Sequence, residues 1–253
     1  MNYTLSFCKF KILIIFSLFA CWCAFSYGQS SVEVIKVDTL PAPQAPALQT
    51  LPKFRIGAQI GYAYRFGHIP NNIHPNLRNH LNQLKSNFGY GADMTYYFKK
   101  NIGLGVKYTG ISTKAETSNF PVENGGAIIG YVPVSQKVDI HYIGGTFAAR
   151  RFIKVNKQCF FANISLGCLM YRDNVTVFGE RVKTTGNTFG FMVEVGYDFF
   201  ASKYLAIGLQ LSTALGMLNT VSYTHGNVTI KETLPQRENL SYINIALGFR
   251  FYK

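Results

Sequence analysis

Few residues in this chain have the type and spacing to do chemistry. Four of its histidines, His68, His74, His80 and His225, fall in segments without strand periodicity. The first three are six residues apart, with no Asp, Glu or Cys among them. Paired helical metal ligands need a spacing of about three or four, and structural zinc needs about four ligands, so no metal site is expected. The fifth histidine, His141, with Ser135 as nucleophile and Glu194 as orienting group, would make the constellation of a lipid hydrolase or acyltransferase. No G-x-S-x-G nucleophile elbow accompanies it. A phosphate-binding loop, a metal-type cysteine pair and a dinucleotide fingerprint are also lacking. The residues therefore point away from an enzyme and from any cofactor.

A second set of ionisable residues shares a different property. Arg55, Arg65, Asp93, Lys107, Asp139, His141, Glu194, Asp198 and Arg250 sit in segments of alternating character, opposite the bulky apolar positions. If that face is interior, each charge needs a partner, because an unpaired buried charge is costly. An internal salt-bridge network that fills the interior is the first reading, and an ion or proton pathway is the second.

The segments that carry these residues have period two. Phe54, Ile56, Ala58, Ile60, Tyr62, Tyr64 and Phe66 alternate with Arg55, Gly57, Gln59, Gly61, Ala63 and Arg65, the mark of a strand. Comparable runs follow at 88–98, 102–109, 137–150, 160–170, 189–199, 205–215 and 242–251. In the fourth, Val138, Ile140 and Tyr142 stand opposite Asp139 and His141, and Gly144-Gly145 is a candidate bulge. Short connections at 99–101, 153–157 and 201–203 alternate with long ones at 67–87, 113–136, 172–187 and 218–239. Within the first long connection, Pro75 to Lys85 reads as a short helix with Leu77, Leu81 and Leu84 on one side, placed to cap a barrel mouth or, as the second reading, to lie on the outer leaflet. An even strand count with alternating short turns and long loops predicts an all-β, eight-stranded antiparallel up-and-down transmembrane β-barrel over residues 53–253.

Composition decides which face looks outward. The chain is 15% charged and 15% aromatic, with 23 glycines. After the first 28 residues no apolar run approaches the ~18 residues of a membrane helix. The face opposite the bulky residues is mostly Gly, Ala, Ser and Thr with scattered charges. It would make a poor water-facing surface but fits the inside of a narrow barrel, where large and small side chains must interleave. Bulky residues then meet lipid. Phe54, Phe98, Phe199, Phe249 and Phe251 would form one aromatic girdle, and Tyr62, Tyr64, Phe88, Tyr90 and Phe189 the other.

The start of the chain reads as an export signal: Lys9 and Lys11, an apolar run from Ile12 to Phe25, and small residues Ser26 and Gly28 before a cut at Gln29. Leu18-Phe19-Ala20-Cys21 competes as a partial lipobox, which leaves signal-peptidase and lipoprotein processing both open. Residues 29–52, with Pro41, Pro43, Pro46 and Pro52, read as an extended periplasmic linker. Cys159 and Cys168, nine apart on one strand, are too distant for a disulfide. The net charge of +13 favours anionic lipopolysaccharide, or acidic polymers outside the cell, as a counterpart over nucleic acid in an exported chain.

The strand-turn pattern, with the closing segment Ser241-Tyr242-Ile243-Asn244-Ile245-Ala246-Leu247-Gly248-Phe249-Arg250-Phe251-Tyr252-Lys253, resembles the outer-membrane β-barrel domain family that includes the small OmpA- and OmpX-type barrels. The resemblance implies a place in the outer membrane. It also implies a last strand read by the barrel-assembly machinery through Phe249, Phe251 and Tyr252, here followed by one extra lysine. Roles in that family are diverse. A structural or surface-interaction barrel acting through long loops, a narrow channel for small or apolar solutes, and a lipid-modifying enzyme all remain open, in that order.

Overall fold

The computed structural model describes residues 51–67, 69, 73–124, 127–154, 157–226 and 228–253. The expected signal (1–28), and the expected linker (29–52) except for Leu51 and Pro52, lie outside the described residues, as does His68. Ten strands run in chain order: β1 Phe54–Arg65, β2 Ser86–Tyr97, β3 Ile102–Asn124, β4 Ala127–Lys154, β5 Gln158–Val177, β6 Glu180–Phe200, β7 Leu205–Leu215, β8 Met217–His225, β9 Val228–Asn239 and β10 Tyr242–Tyr252. One helix, α1, spans Pro75–Gln83. Among the described residues no helix is long and apolar enough to cross a membrane.

Eight of the strands close a ring in the order β1-β2-β3-β4-β5-β6-β7-β10, each antiparallel to its neighbours. The stagger of the ring follows from the pairings. From Thr185 on β6 a row of partners runs through Arg172, Asp139, Ser112, Phe88, Tyr62, Ile245 and Leu211, and returns to β6 at Val195, ten residues away. With the usual strand spacings, that stagger in an eight-stranded ring implies a tilt of about 40° and a backbone radius of about 8 Å. Such a tube has room for side chains and little else.

Parity along β1 and β10 is as strict as the sequence predicts. Arg55, Gln59, Ala63 and Arg65 are buried, while Phe54, Ile56, Ile60 and Tyr62 face outward. Three expectations need correction. Most of the segments at 113–136, 172–187 and 218–239 are strand, not loop: β3 with β4, and β5 with β6, run on as long hairpins beyond the ring, and β8 with β9 form a further hairpin whose first strand pairs with the start of β6. Beyond the ring the apolar side chains change faces. Val132, Val134, Val138 and Ile140 turn inward and are buried, whereas Ile143 and Phe147 lower on the same strand face out. Gly144-Gly145 carries no bulge, since the register against both neighbours runs through it unbroken.

The third correction concerns the interior. Its turn-side half is ionic, but its loop-side half is an apolar cluster that includes Ile111, Val138, Ile140, Tyr142, Leu169 and Met192. Leu84, just after α1, joins that cluster, and Leu81 packs against it. The helix starts on His74, whose Nδ1 accepts the Asn76 amide at 3.3 Å, with Pro75 at the first helical position. That position has no intrahelical partner to lose, so proline suits it. His80 then fixes the helix to the hairpin. Its ring nitrogens lie 2.9 Å from Thr117 Oγ1 and 3.0 Å from Gln136 Oε1, and its ring meets the edge of Phe120.

Candidate functional site: the ionic core of the lumen

The turn-side half of the lumen holds three buried ion pairs built from five strands. Arg55 on β1 reaches Asp93 on β2, with Nη2 2.9 Å from Oδ2 and Nε 3.2 Å from the same oxygen. Lys107 on β3 pairs with Glu194 on β6, and Arg250 on β10 pairs with Asp198, also on β6. All six side chains are at least nine-tenths buried. The formal charges cancel, as the desolvation cost of buried ions requires.

Neutral amides and hydroxyls join the pairs into one network. Asn163 donates to Glu194 Oε1 at 2.7 Å, and Gln210 donates to Glu194 Oε2 at 2.7 Å. Gln210 also accepts from Arg250 and donates to Gln59. The Tyr252 hydroxyl donates to Asp198 Oδ2 at 2.6 Å. Phe161 stands among the cations: the Arg55 and Arg250 guanidinium carbons lie 4.7 and 4.5 Å from its ring centroid, cation–π geometry in a desolvated place. Small residues make this density feasible. A Cβ at Gly57 would come within 2.7 Å of Asp93 Oδ1, and one at Gly196 would overlap the Phe161 ring. Below the network, at the turn end, the Arg150 guanidinium lies 3.6 Å from the Tyr97 ring centroid and donates to the carbonyls of Lys100 and Pro52.

Not every expected member is in this network. Arg55, Asp93, Lys107, Glu194, Asp198 and Arg250 are brought together. Arg65 points inward but sits at the opposite mouth, with Nη2 3.4 Å from Glu238 Oε1. Asp139 and His141 face outward. Asp139 accepts from Ser112 at 2.6 Å and lies 3.4 Å from Lys137, and His141 Nδ1 is 2.8 Å from the Tyr108 hydroxyl. The reason is parity: on β4 it is Tyr142, Thr146 and Ala148 that point in. The Ser135–His141–Glu194 constellation is therefore not assembled, because His141 lies outside the wall and Glu194 inside it. Gln59, Asn163 and Gln210 escape a search of the sequence for charges, although they share the inward parity of those charges. Arg150 and Phe161 emerge only when parity is followed to the strand ends. At the C-terminus Phe249 and Phe251 face outward, while Tyr252 points in and is fully buried.

The arrangement holds each of its three carboxylates on at least one cation. Each carboxylate is held by a cation and by a neutral donor or a second cation contact, so none is left free to exchange with a solute.

No protein-family model and no curated protein matches this sequence. Solved structures do resemble the fold. A major outer membrane protein from Thermus thermophilus superposes with a TM-score of 0.52 at 9% identity, over 79% of this chain and 98% of that one. Neisserial surface protein A (TM-score 0.42, 12% identity, 79% and 97% covered) and OprG from Pseudomonas aeruginosa (TM-score 0.42, 12% identity, 81% and 99% covered) are more distant in shape. With the closed eight-strand ring, the likeness to the Thermus protein gives this chain the fold of a small outer-membrane β-barrel.

Proposed function

We propose that the protein resides in the outer membrane with its barrel spanning the bilayer and its lumen closed, and that it serves as a structural or surface-interaction barrel through the hairpin extension beyond the ring. The observation that carries this reading is the pairing of an apolar outside with a filled inside. Phe54, Ile60, Leu104, Phe147, Leu209 and Leu247, on five different strands, are all more than 45% exposed, and a continuous apolar wall of that kind belongs in lipid rather than water. The inside holds the ionic network, then the apolar cluster, which Leu84 just after α1 joins.

In this orientation the short turns, the start of β1 and the end of β10 face the periplasm, and the β3–β4, β5–β6 and β8–β9 hairpins face outward. Membrane lipid and lipopolysaccharide surround the wall. The outward Phe249 and Phe251 with terminal-strand Tyr252 supply the C-terminal pattern for the barrel-assembly machinery. The role is non-catalytic and needs no cofactor.

Two measurements test it. Outer-membrane fractions should give a band whose gel mobility shifts on boiling, and a mature chain that stays monodisperse in buffer without detergent would overturn the placement. Reconstituted in planar bilayers, the protein should give no stepwise conductance; reproducible channel steps would favour the narrow-channel reading instead.

A further inference from the structure

A polar seat is cut into the outer wall where the apolar band ends, and we infer that it holds the phosphate-bearing headgroup of an outer-leaflet lipid; this rests on the membrane reading above. The register fixes what surrounds it. Tyr108, Ile143, Cys168 and Phe189 form one outward row across β3 to β6. The next row is Gly110, His141, Met170 and Asn187, followed by Ser112, Asp139, Arg172 and Thr185, then by Lys114, Lys137, Asn174 and Lys183. Within three rows the wall passes from apolar to cationic. In the last two rows Lys114, Lys137, Arg172 and Lys183 stand against Asp139, with Lys114 also paired at 2.5 Å to Glu116 one row further out.

A depression of about 470 Å³ lies at this boundary, lined among others by Tyr108, His141, Met170, Arg172, Asn187 and Ser222. Its residues are suited to an amphiphile. Tyr108 and His141 form a stiff edge, rings stacked 5.9 Å apart with the hydroxyl 2.8 Å from Nδ1. Met170 offers an apolar floor that continues the lipid-facing wall. Arg172 is exposed and takes part in none of the ion pairs among the described residues, so its planar fork is open for bidentate binding of phosphate. Lys137, 3.4 Å from Asp139 and one outward row beyond Arg172, adds a second cation at the rim of the depression. Asn187 and Ser222 supply an amide and a hydroxyl for sugar or ester oxygens. A free phosphate would use the cations but not Met170 or the apolar row beneath, so the observations favour a lipid.

Native mass spectrometry of the full chain released from detergent tests this, with diphosphorylated lipid A, dephosphorylated lipid A and inorganic phosphate as probes. The wild type should retain the diphosphorylated lipid. Arg172→Ala with Lys137→Ala should lower that retention about tenfold or more, the scale of losing charge-assisted hydrogen bonds, while Lys231→Ala on the outer hairpin should leave it unchanged. Equal retention of the dephosphorylated lipid, or undiminished retention by the double variant, would overturn phosphate recognition. Retention of inorganic phosphate at the same concentrations would overturn the lipid as source. Failure of the membrane reading would show separately, as a wild type without a heat-shifted band.

Discussion

Arg55 and Arg250, from strands that pair along one seam of the ring, hold their guanidinium groups over one ring, that of Phe161. Two like charges converge on one aromatic ring while each keeps its own carboxylate. Phe161 thus spaces two cations that would otherwise repel across a low-dielectric interior. Phe161→Leu should destabilise the barrel by about 1–2 kcal/mol through the lost cation–π contacts. Phe161→Ala should cost about 3–5 kcal/mol because a cavity is added. Urea unfolding in lipid vesicles, followed by the heat-shifted band, measures both. A Phe161→Leu variant as stable as the wild type, with Phe161→Ala still destabilised, would mean that the ring contributes volume only.

The Lys107–Glu194 pair should show the asymmetry of buried ions. Glu194→Ala strands Lys107, Asn163 and Gln210 without their acceptor and should cost about 3–5 kcal/mol. Lys107→Met with Glu194→Gln removes both charges and should cost much less, as replacing a whole buried pair usually does. The same unfolding assay separates them. A double variant as unstable as Glu194→Ala would show that the pair matters for more than charge balance.

His80 joins α1 to the β3–β4 hairpin rather than stabilising the ring. His80→Ala removes two hydrogen bonds and an aromatic edge contact, about 2 kcal/mol in sum, from a single-helix element. Limited proteolysis should then cut near residues 73–85 several-fold faster, with the unfolding midpoint of the ring unchanged. Coupled loss of both would mean that the helix is part of the barrel's cooperative unit.

Asp173, on β5 beyond the ring, gives the extension a pH response. Burial holds its carboxyl above the usual carboxylate range, against hydrogen bonds from Gln136 at 2.8 Å and Tyr171 at 3.2 Å and the nearby charge of Arg65; Glu238 adds to the upward push. A carboxyl raised on folding stabilises the fold fully below its ordinary value of about 3.9, and that contribution is lost as pH rises through the raised value. Hydrogen exchange corrected for intrinsic rates should therefore show residues 130–138 and 171–177 better protected at pH 4 than at pH 7. Asp173→Asn should flatten that difference. A variant with the wild-type pH profile would count against Asp173 as its source.

Much of the barrel is legible in the sequence because a membrane barrel's walls have one strict rule. Lipid outside and a narrow tube inside force period-two alternation, and β1, β2, β7 and β10 obey it from end to end. The inward charges of those strands and of β3 and β6 can be assigned by parity alone. Parity misleads on β4, where Val138, Ile140 and Tyr142 read as lipid-facing because they are apolar. Part-way along that strand the apolar residues change sides, as the proposed membrane placement requires where the wall passes from hydrocarbon to water. The same inversion hides the strand character of 113–136 and 172–187, whose outward polar residues resemble loop.

The sequence by itself determined the strand count of the ring, the direction of its lipid-facing wall and the charge types sealed inside, because each follows from local alternation in a fixed environment. Tertiary structure alone decided which cation meets which carboxylate, since a stagger of ten residues around the ring sets Lys107 beside Glu194 and Arg250 beside Asp198 across large sequence separations. It also decided where the wall leaves the lipid, because that height is a property of the closed and tilted tube and not of any one strand.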